Sequence, residues 1–397
     1  MNIRDQFGGD ALMCPLRFLF ASDSFKGSLT SGRAAELLSR AAKDVFGEVE
    51  YTSLPVADGG EGTVAAVIAA EGGEWVEANV HGPLMEPMVA RYGRLDASRA
   101  IIEMAAASGL TLVPEAQRNP LLTSTYGTGE MILDALNRGF TDISIAIGGS
   151  ATNDGGMGCA RALGARFLDS GGNELEGCGQ DLEKVVSIDV SHLDPRLADA
   201  KITVMCDVKN PLCGENGATY TYGKQKGATP EMLERLEAGM RNYRDVIRAA
   251  FGVDPDSIEG AGAAGGLGTA LRVFLGGEMK SGIETVLDLI DFDARLEGVD
   301  VVVTGEGRAD RQSVHGKVMQ GIGVRAARHG VVAVGLCGSL GEGAELIYDY
   351  GIQSLMPAVN APMTLEEAMA RTEELYYAAA VRMFRLLKAG MALAAAR

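Results

Sequence analysis

Positive charge is in short supply in this chain. Lysine and arginine number 36 against 53 aspartates and glutamates, for a formal net charge of −17. A general nucleic-acid binder needs a basic footprint for the phosphate backbone, so that class is excluded. Nucleotide binding is not excluded, because it needs only a few local donors. No Cys-x-x-Cys pair occurs among the six cysteines, Cys14, Cys159, Cys178, Cys206, Cys213 and Cys337. Neither a zinc site nor a disulfide framework is signalled, and the thiols read as reduced and mostly buried. No apolar run reaches the ~18 residues of a membrane span. The opening MNIRDQFGGDALMCPLRFLF carries an acidic residue and lacks signal-peptide order, so the expected location is cytoplasmic and residues 1–13 read as an extension. His81, His192 and His329 have no metal-ligand spacing and read as structural or solvated.

Two nucleotide motifs are missing as well. Gly316-Lys317 is followed by Val318, without the upstream glycine or the Ser/Thr of a phosphate-binding P-loop. Gly260-Ala-Gly262-Ala-Ala-Gly265 matches the dinucleotide fingerprint as a string, but Val253–Glu259 before it does not read as a strand. A nicotinamide-dependent dehydrogenase is therefore disfavoured.

What the chain has is glycine, 53 copies in 397 residues, roughly twice the usual share. The glycines cluster between apolar runs, where the backbone must turn tightly or approach a ligand. Strand-like runs alternate with helical patterns. Arg17–Ala21 leads through a loop into Ala34, Leu37, Leu38, Ala41 and Val45 at helical spacing, with Ser31 as the expected N-cap. Thr229-Pro230 opens a long helix, and Thr364 with Glu367 forms a capping box for a last helix reaching about Ala389. Val299–Val303 reads as a buried parallel strand. Between Trp75 and Met104 short alternating segments read as antiparallel strands. The expectation is an α/β fold in two domains, one from both chain ends (14–80 plus 290–397) and one inserted (81–289).

In open parallel sheets ligands bind outside the carboxyl ends of the strands. Five such ends carry polar residues and glycines: Asp23–Ser28, Ala57–Thr63, Gly148–Gly156, Cys206–Gly214 and Thr304–Lys317. Each has a plain alternative, a capped or Asx turn. The fifth is least like a turn, since a valine strand delivers carboxylates, an arginine and a lysine into one loop.

Together these segments resemble the bacterial glycerate kinases of the type-1 family. The resemblance runs from about Phe18 to near the C-terminus and rests on FLFASDSFKGSLTS, PVADGGEGT, TYGTGE with AIGGSATNDGGMG, CDVKNPLCGENGA with YGKQKGA, and VVVTGEGRADRQSVHGK. It implies a Rossmann-like domain with an inserted flavodoxin-like domain, the site in the cleft between them, and ATP-dependent phosphorylation of D-glycerate with Mg²⁺, 2-phosphoglycerate being the favoured product. Partners would be small molecules, with a homodimer as an open option. Kinase action on another small hydroxy acid and non-catalytic anion binding are the alternatives.

Phosphoryl transfer asks for positioning and charge stabilisation. On that footing Asp58, Asp207 and Lys26 are the candidate catalytic residues, Asp58 or Asp207 being the base. Ser24, Lys26, Gly59, Gly60, Glu61, Gly148, Gly149, Ser150, Asn153, Asp154, Arg308 and Lys317 are candidates for binding substrate or phosphate. Asp207, Glu306 and Asp310 are candidate metal ligands.

Overall fold

The computed structural model describes residues 15–25, 27–60 and 62–395. Lys26, Glu61 and the expected extension 1–13 lie outside the described residues. The chain divides into two compact units, one holding the residues up to Asp58 and from Val286 onward, the other Gly59–Thr285.

The first unit is built on a five-stranded sheet with all strands parallel. Its order across the sheet is Ile352–Pro357, Val332–Cys337, Val301–Thr304, Arg17–Phe20 and Glu50–Ser53. The valine run is wholly buried between neighbours on both sides, as its composition requires. Phe18, Phe20, Val301, Val303 and Leu336 pack with Leu38 of the helix Ser31–Phe46 and with Tyr376 and Phe384 of the helix Thr372–Ala395. The helix Ser31–Phe46 is capped by Thr30, whose hydroxyl accepts from Arg33 N at 3.2 Å, so the cap stands one residue before the expected Ser31. The expected last helix is two. The capping box of Thr364 and Glu367 opens a short helix, Leu365–Ala370, and the backbone leaves helical geometry at Arg371 before Thr372–Ala395 begins.

The second unit carries a six-stranded mixed sheet, ordered Glu278–Lys280, Lys201–Met205, Asp142–Ala146, Arg99–Glu103, Pro87–Arg94 and Glu74–His81. The first four are parallel, while the last two form an antiparallel hairpin against Arg99–Glu103. The hairpin accounts for the changed texture after Trp75. Ile102, Ile143, Ile145 and Val204 bury one core with Met131 and Ile132 of the helix Tyr126–Asn137. A second core gathers Phe167, Leu182, Leu212, Met240 and Tyr243 beneath the helix Pro230–Phe251. Thr229 caps that helix by accepting from Met232 N, with Pro230 at its first position, as the sequence indicates. No strand precedes Gly260–Gly265; a 3-10 turn, Pro255–Ser257, does. Its backbone runs left-handed at Ala264, Gly265 and Gly266, unlike a dinucleotide turn. Among the described residues no helix is long and apolar enough to cross a membrane.

Candidate functional site

In the first unit the loops after the parallel strands meet. Asp23, just past the strand Arg17–Phe20, has its backbone N–H donating to Gly305 O at 3.0 Å. Gly338 N donates to Glu306 O and Ser339 N to Gly307 O, both at 3.1 Å. Three strand ends are thus stitched together by backbone hydrogen bonds. The glycines make this possible: a Cβ on Gly305 would stand 1.9 Å from Leu336 O, and one on Gly338 2.3 Å from Gly307 O. Thr304-Gly305-Glu306-Gly307 is glycine-rich because two loops touch at van der Waals distance.

The junction opens into a cleft of about 710 Å³, within the range of small-molecule sites. Its polar floor is Asp23, Ser24, Ser28, Asp58, Glu306, Arg308, Asp310, Lys317 and Ser339, and its other wall is apolar: Met363, Leu365, Ala368, Met369, Leu375 and Tyr376. Glu306 is 7% exposed. One of its oxygens accepts the Ser313 hydroxyl and the other faces Lys317 Nζ at 3.5 Å. Burial pushes its carboxyl above the usual range, while the Ser313 hydrogen bond and the Lys317 charge oppose this. Asp310 caps the 3-10 turn Arg311–Val314, accepting from Gln312 N at 2.9 Å, and its other oxygen stands 3.4 Å from Arg308 Nε.

In the second unit Asp207 follows the strand Lys201–Met205, and its Oδ1 accepts from the Ser281 hydroxyl and Gly282 N, both at 2.9 Å. Gly59 lies against the same segment: at its φ of +90° a Cβ would come 2.8 Å from Gly282 Cα. Gly148 lies beside Gly59 and Gly60, since a Cβ there would stand 3.7 Å from Gly60 Cα. Gly59, Gly60, Gly148 and Asp207 therefore assemble at the carboxyl ends of three parallel strands.

The glycine loop Gly148–Gly156 is divided. Gly148 and Gly149 are exposed and Ser150 is buried; Asn153 and Asp154 are wholly enclosed. Asp154 accepts from Thr125 N and the Thr125 hydroxyl, both at 2.7 Å, and from the backbone of Gly156 and Gly158. Asn153 donates to the Thr219 hydroxyl at 3.1 Å. Of the candidates, Ser24, Asp58, Glu306, Arg308, Asp310 and Lys317 come together in one cleft, and Gly59, Gly60, Gly148 and Asp207 in one glycine junction. Asn153 and Asp154 instead tie the loop to its own interior.

Some residues at these sites carry no role in the sequence reading. Asp23 lies in the strand-end segment Asp23–Ser28 that the sequence marks, but it is given no role there. Ser281 supports Asp207 from 74 residues away. The apolar wall shows in sequence only as helix-spaced Leu365, Ala368 and Met369, a pattern that reads equally as core.

The comparisons agree with this architecture. A family model described as the glycerate kinase family matches residues 18–388. A glycerate kinase of Bacillus subtilis (strain 168) is 46% identical over 90% of this chain and 94% of its own length. The glycerate 2-kinase of Escherichia coli (strain K12) is 46% identical over 89% and 93%. A crystal structure from Salmonella typhimurium LT2, described as a glycerate kinase 2, superposes with a TM-score of 0.85 at 44% identity, covering 95% of this chain and all of that one. On this family match and these near-full-length relatives, the chain belongs to the glycerate kinase family.

Proposed function

We propose that this protein transfers the γ-phosphoryl group of ATP to the C2 hydroxyl of D-glycerate, giving 2-phosphoglycerate and ADP. The observation that carries the reading is the first unit's cleft, where loops from separate parallel strands bring two cations and several acids around one cavity. The relatives named for this reaction give the acceptor, and the Escherichia coli relative gives the position.

Transfer of a phosphoryl group spreads negative charge over its oxygens while the hydroxyl attacks in line, so the protein contributes mainly placement and counter-charge. Lys317 and Arg308 are the cations for phosphate or carboxylate oxygens. The hydroxyl needs a base, and Asp58 or Asp207 takes that role. Asp207 is held in orientation by Ser281 and Gly282, as a base must be. Gly148 and Gly149 offer exposed backbone for close approach of an anion.

Magnesium fits as a partner of the nucleotide. It takes one or two carboxylates and keeps waters and phosphate oxygens. Glu306 and Asp310 line one cleft and sense each other electrostatically, while among the described residues no cluster of three ligating side chains stands together. Glu306 and Asp310 would hold the ion, with Asp207 as the remaining candidate. When bound it neutralises phosphate charge.

The parallel sheets of the two units support the Rossmann-like and inserted flavodoxin-like assignment. The proposal includes the cytoplasm, where ATP meets the acid, and a homodimer, which sedimentation velocity tests. The deciding experiment is an ATP-coupled assay with D-glycerate, the product read by phosphorus NMR. A resonance coupled to the C2 proton is expected. No ADP release with D-glycerate, alongside turnover of another hydroxy acid, would reassign the acceptor.

A further inference from the structure

The helix Leu365–Ala370 has no buried residue. Leu365 is 76% exposed and Met369 41%. These two side chains stand one helical turn apart and line the same cleft. Nothing in sequence patterning requires a water-facing leucine and methionine on a helix whose capping box fixes it so firmly. Met369 extends toward Gly27, beyond the strand Arg17–Phe20, since a Cβ on Gly27 would lie 3.3 Å from its terminal methyl. Behind them Phe25 and Tyr376, both buried, pack edge to face at 5.2 Å. The cavity therefore has an apolar half facing a polar floor of strand-end acids and hydroxyls.

Such a two-faced slot does not match glycerate, whose three carbons all bear oxygen and which fills a small fraction of about 710 Å³. It matches a molecule with a flat apolar group at one end and hydroxyls and phosphates at the other. Resting on the kinase reading above, we propose that this slot is the purine subsite, with Leu365 and Met369 covering the adenine ring of ATP. Asp23 and Ser24, after the strand Arg17–Phe20, then face the ribose hydroxyls, where an acidic residue suits paired hydroxyl donors. Methionine is suited to the ring face because its polarizable thioether packs well on aromatic groups. Covering the ring removes both apolar side chains from water, so ligand binding and closure of the exposed patch are one event.

The test uses Leu365→Asp in the full chain. An acid in the first turn of a helix is favourable, and the position is exposed, so folding is preserved. ADP affinity is measured by fluorescence titration with a methylanthraniloyl-ADP probe, and KM values by the coupled assay. Losing the contact of one large apolar side chain is expected to weaken ADP and raise KM for ATP about tenfold or more, with KM for D-glycerate unchanged. Leu365→Met should restore both. Unchanged ADP affinity in Leu365→Asp overturns the subsite, as does a shift confined to KM for D-glycerate. If wild type binds ADP, loses it in Leu365→Asp, and yet does not phosphorylate D-glycerate, the subsite stands and the acceptor assignment falls.

Discussion

Glu306 Oε2 faces the Lys317 ammonium at 3.5 Å while Oε1 accepts the Ser313 hydroxyl. The acid is nearly enclosed and the lysine one-third exposed, so the pair sits at the boundary between core and cleft. Burial raises the Glu306 carboxyl against the pull of both partners. The folded chain therefore holds this proton more firmly than the unfolded chain. The associated stability is fully present below the unfolded value of ~4.3 and is lost as pH rises through the folded value. Glu306→Gln keeps the shape and removes the titration. Its stability relative to wild type is expected to improve between about pH 4 and about pH 7. Urea midpoints of both proteins at the two pH values check this, and a constant difference contradicts it.

Gly305 is required by contact, because its α-carbon packs on the Leu336 carbonyl with no room for a methyl group. Gly305→Ala must push the loop that carries Glu306 away from the strand Val332–Cys337, and so disturb the junction that Asp23, Glu306 and Ser339 share. A loss of ~1–3 kcal/mol is expected, the usual effect of overpacking, together with weaker turnover. Gly47→Ala is not an equivalent control, since Gly47 has a φ of +90° and strain of its own. Gly32→Ala is the suitable one, having open space and no positive φ. Equal midpoints for Gly305→Ala and Gly32→Ala would remove the packing argument.

The two candidate bases can be separated from scaffolding. Asp207→Asn retains an oxygen for Ser281 and Gly282, so it removes charge while leaving the loop supported. Asp58→Asn removes the charge at nearly the same shape in the other unit. The residue that acts as base is expected to lose about a hundredfold or more in kcat, the scale of general acid–base help, and the other less. Ser281→Ala, which takes one hydrogen bond from Asp207, should reproduce only a minor part of an Asp207→Asn effect. Steady-state kinetics with unaltered circular dichroism decides; near-normal kcat in both Asp variants would exclude each as base.

Much of the scaffold was readable from local chemistry. The valine run Val301–Val303, the Thr229-Pro230 helix start and the alternating residues after Trp75 each satisfy one short-range rule, and no distant contact opposes it. The break at Arg371 was not readable: Leu365, Ala368, Met369, Thr372, Leu375 and Tyr376 continue one helical stripe, with no glycine or proline to interrupt it. Asp154 shows the same limit at a loop. In sequence it is an acid among small polar residues, the pattern of an exposed anion loop. In the fold Thr125, 29 residues earlier, supplies the donors that draw it inside. Asp207 and Glu306, by contrast, sit directly after apolar strands, so the rule about strand ends located both.

Lys226 presents the opposite titration. It is 2% exposed, and its ammonium donates to Thr152 O at 2.6 Å beneath the Gly148–Gly156 loop. Burial lowers it to about 7, with the Asp154 charge pulling upward. An unfolded lysine titrates near ~10.4, so between these values the unfolded chain binds a proton that the folded chain lacks. Stability linked to Lys226 is therefore fully present above the unfolded value and is lost as pH falls through about 7. Lys226→Met keeps an unbranched stem one atom shorter and abolishes the titration, while leaving the Thr152 carbonyl short of a donor, a penalty of ~1–3 kcal/mol. Wild type is expected to gain on the variant as pH rises from about 7 to about 9, measured by urea unfolding at each pH. A difference that stays flat across this interval would mean that the lysine keeps its proton in the fold as an ion pair with Asp154. Asp154→Asn would then destabilise the chain more strongly than loss of its hydrogen bonds to Thr125 alone requires, because a buried ammonium would be left without its counter-charge.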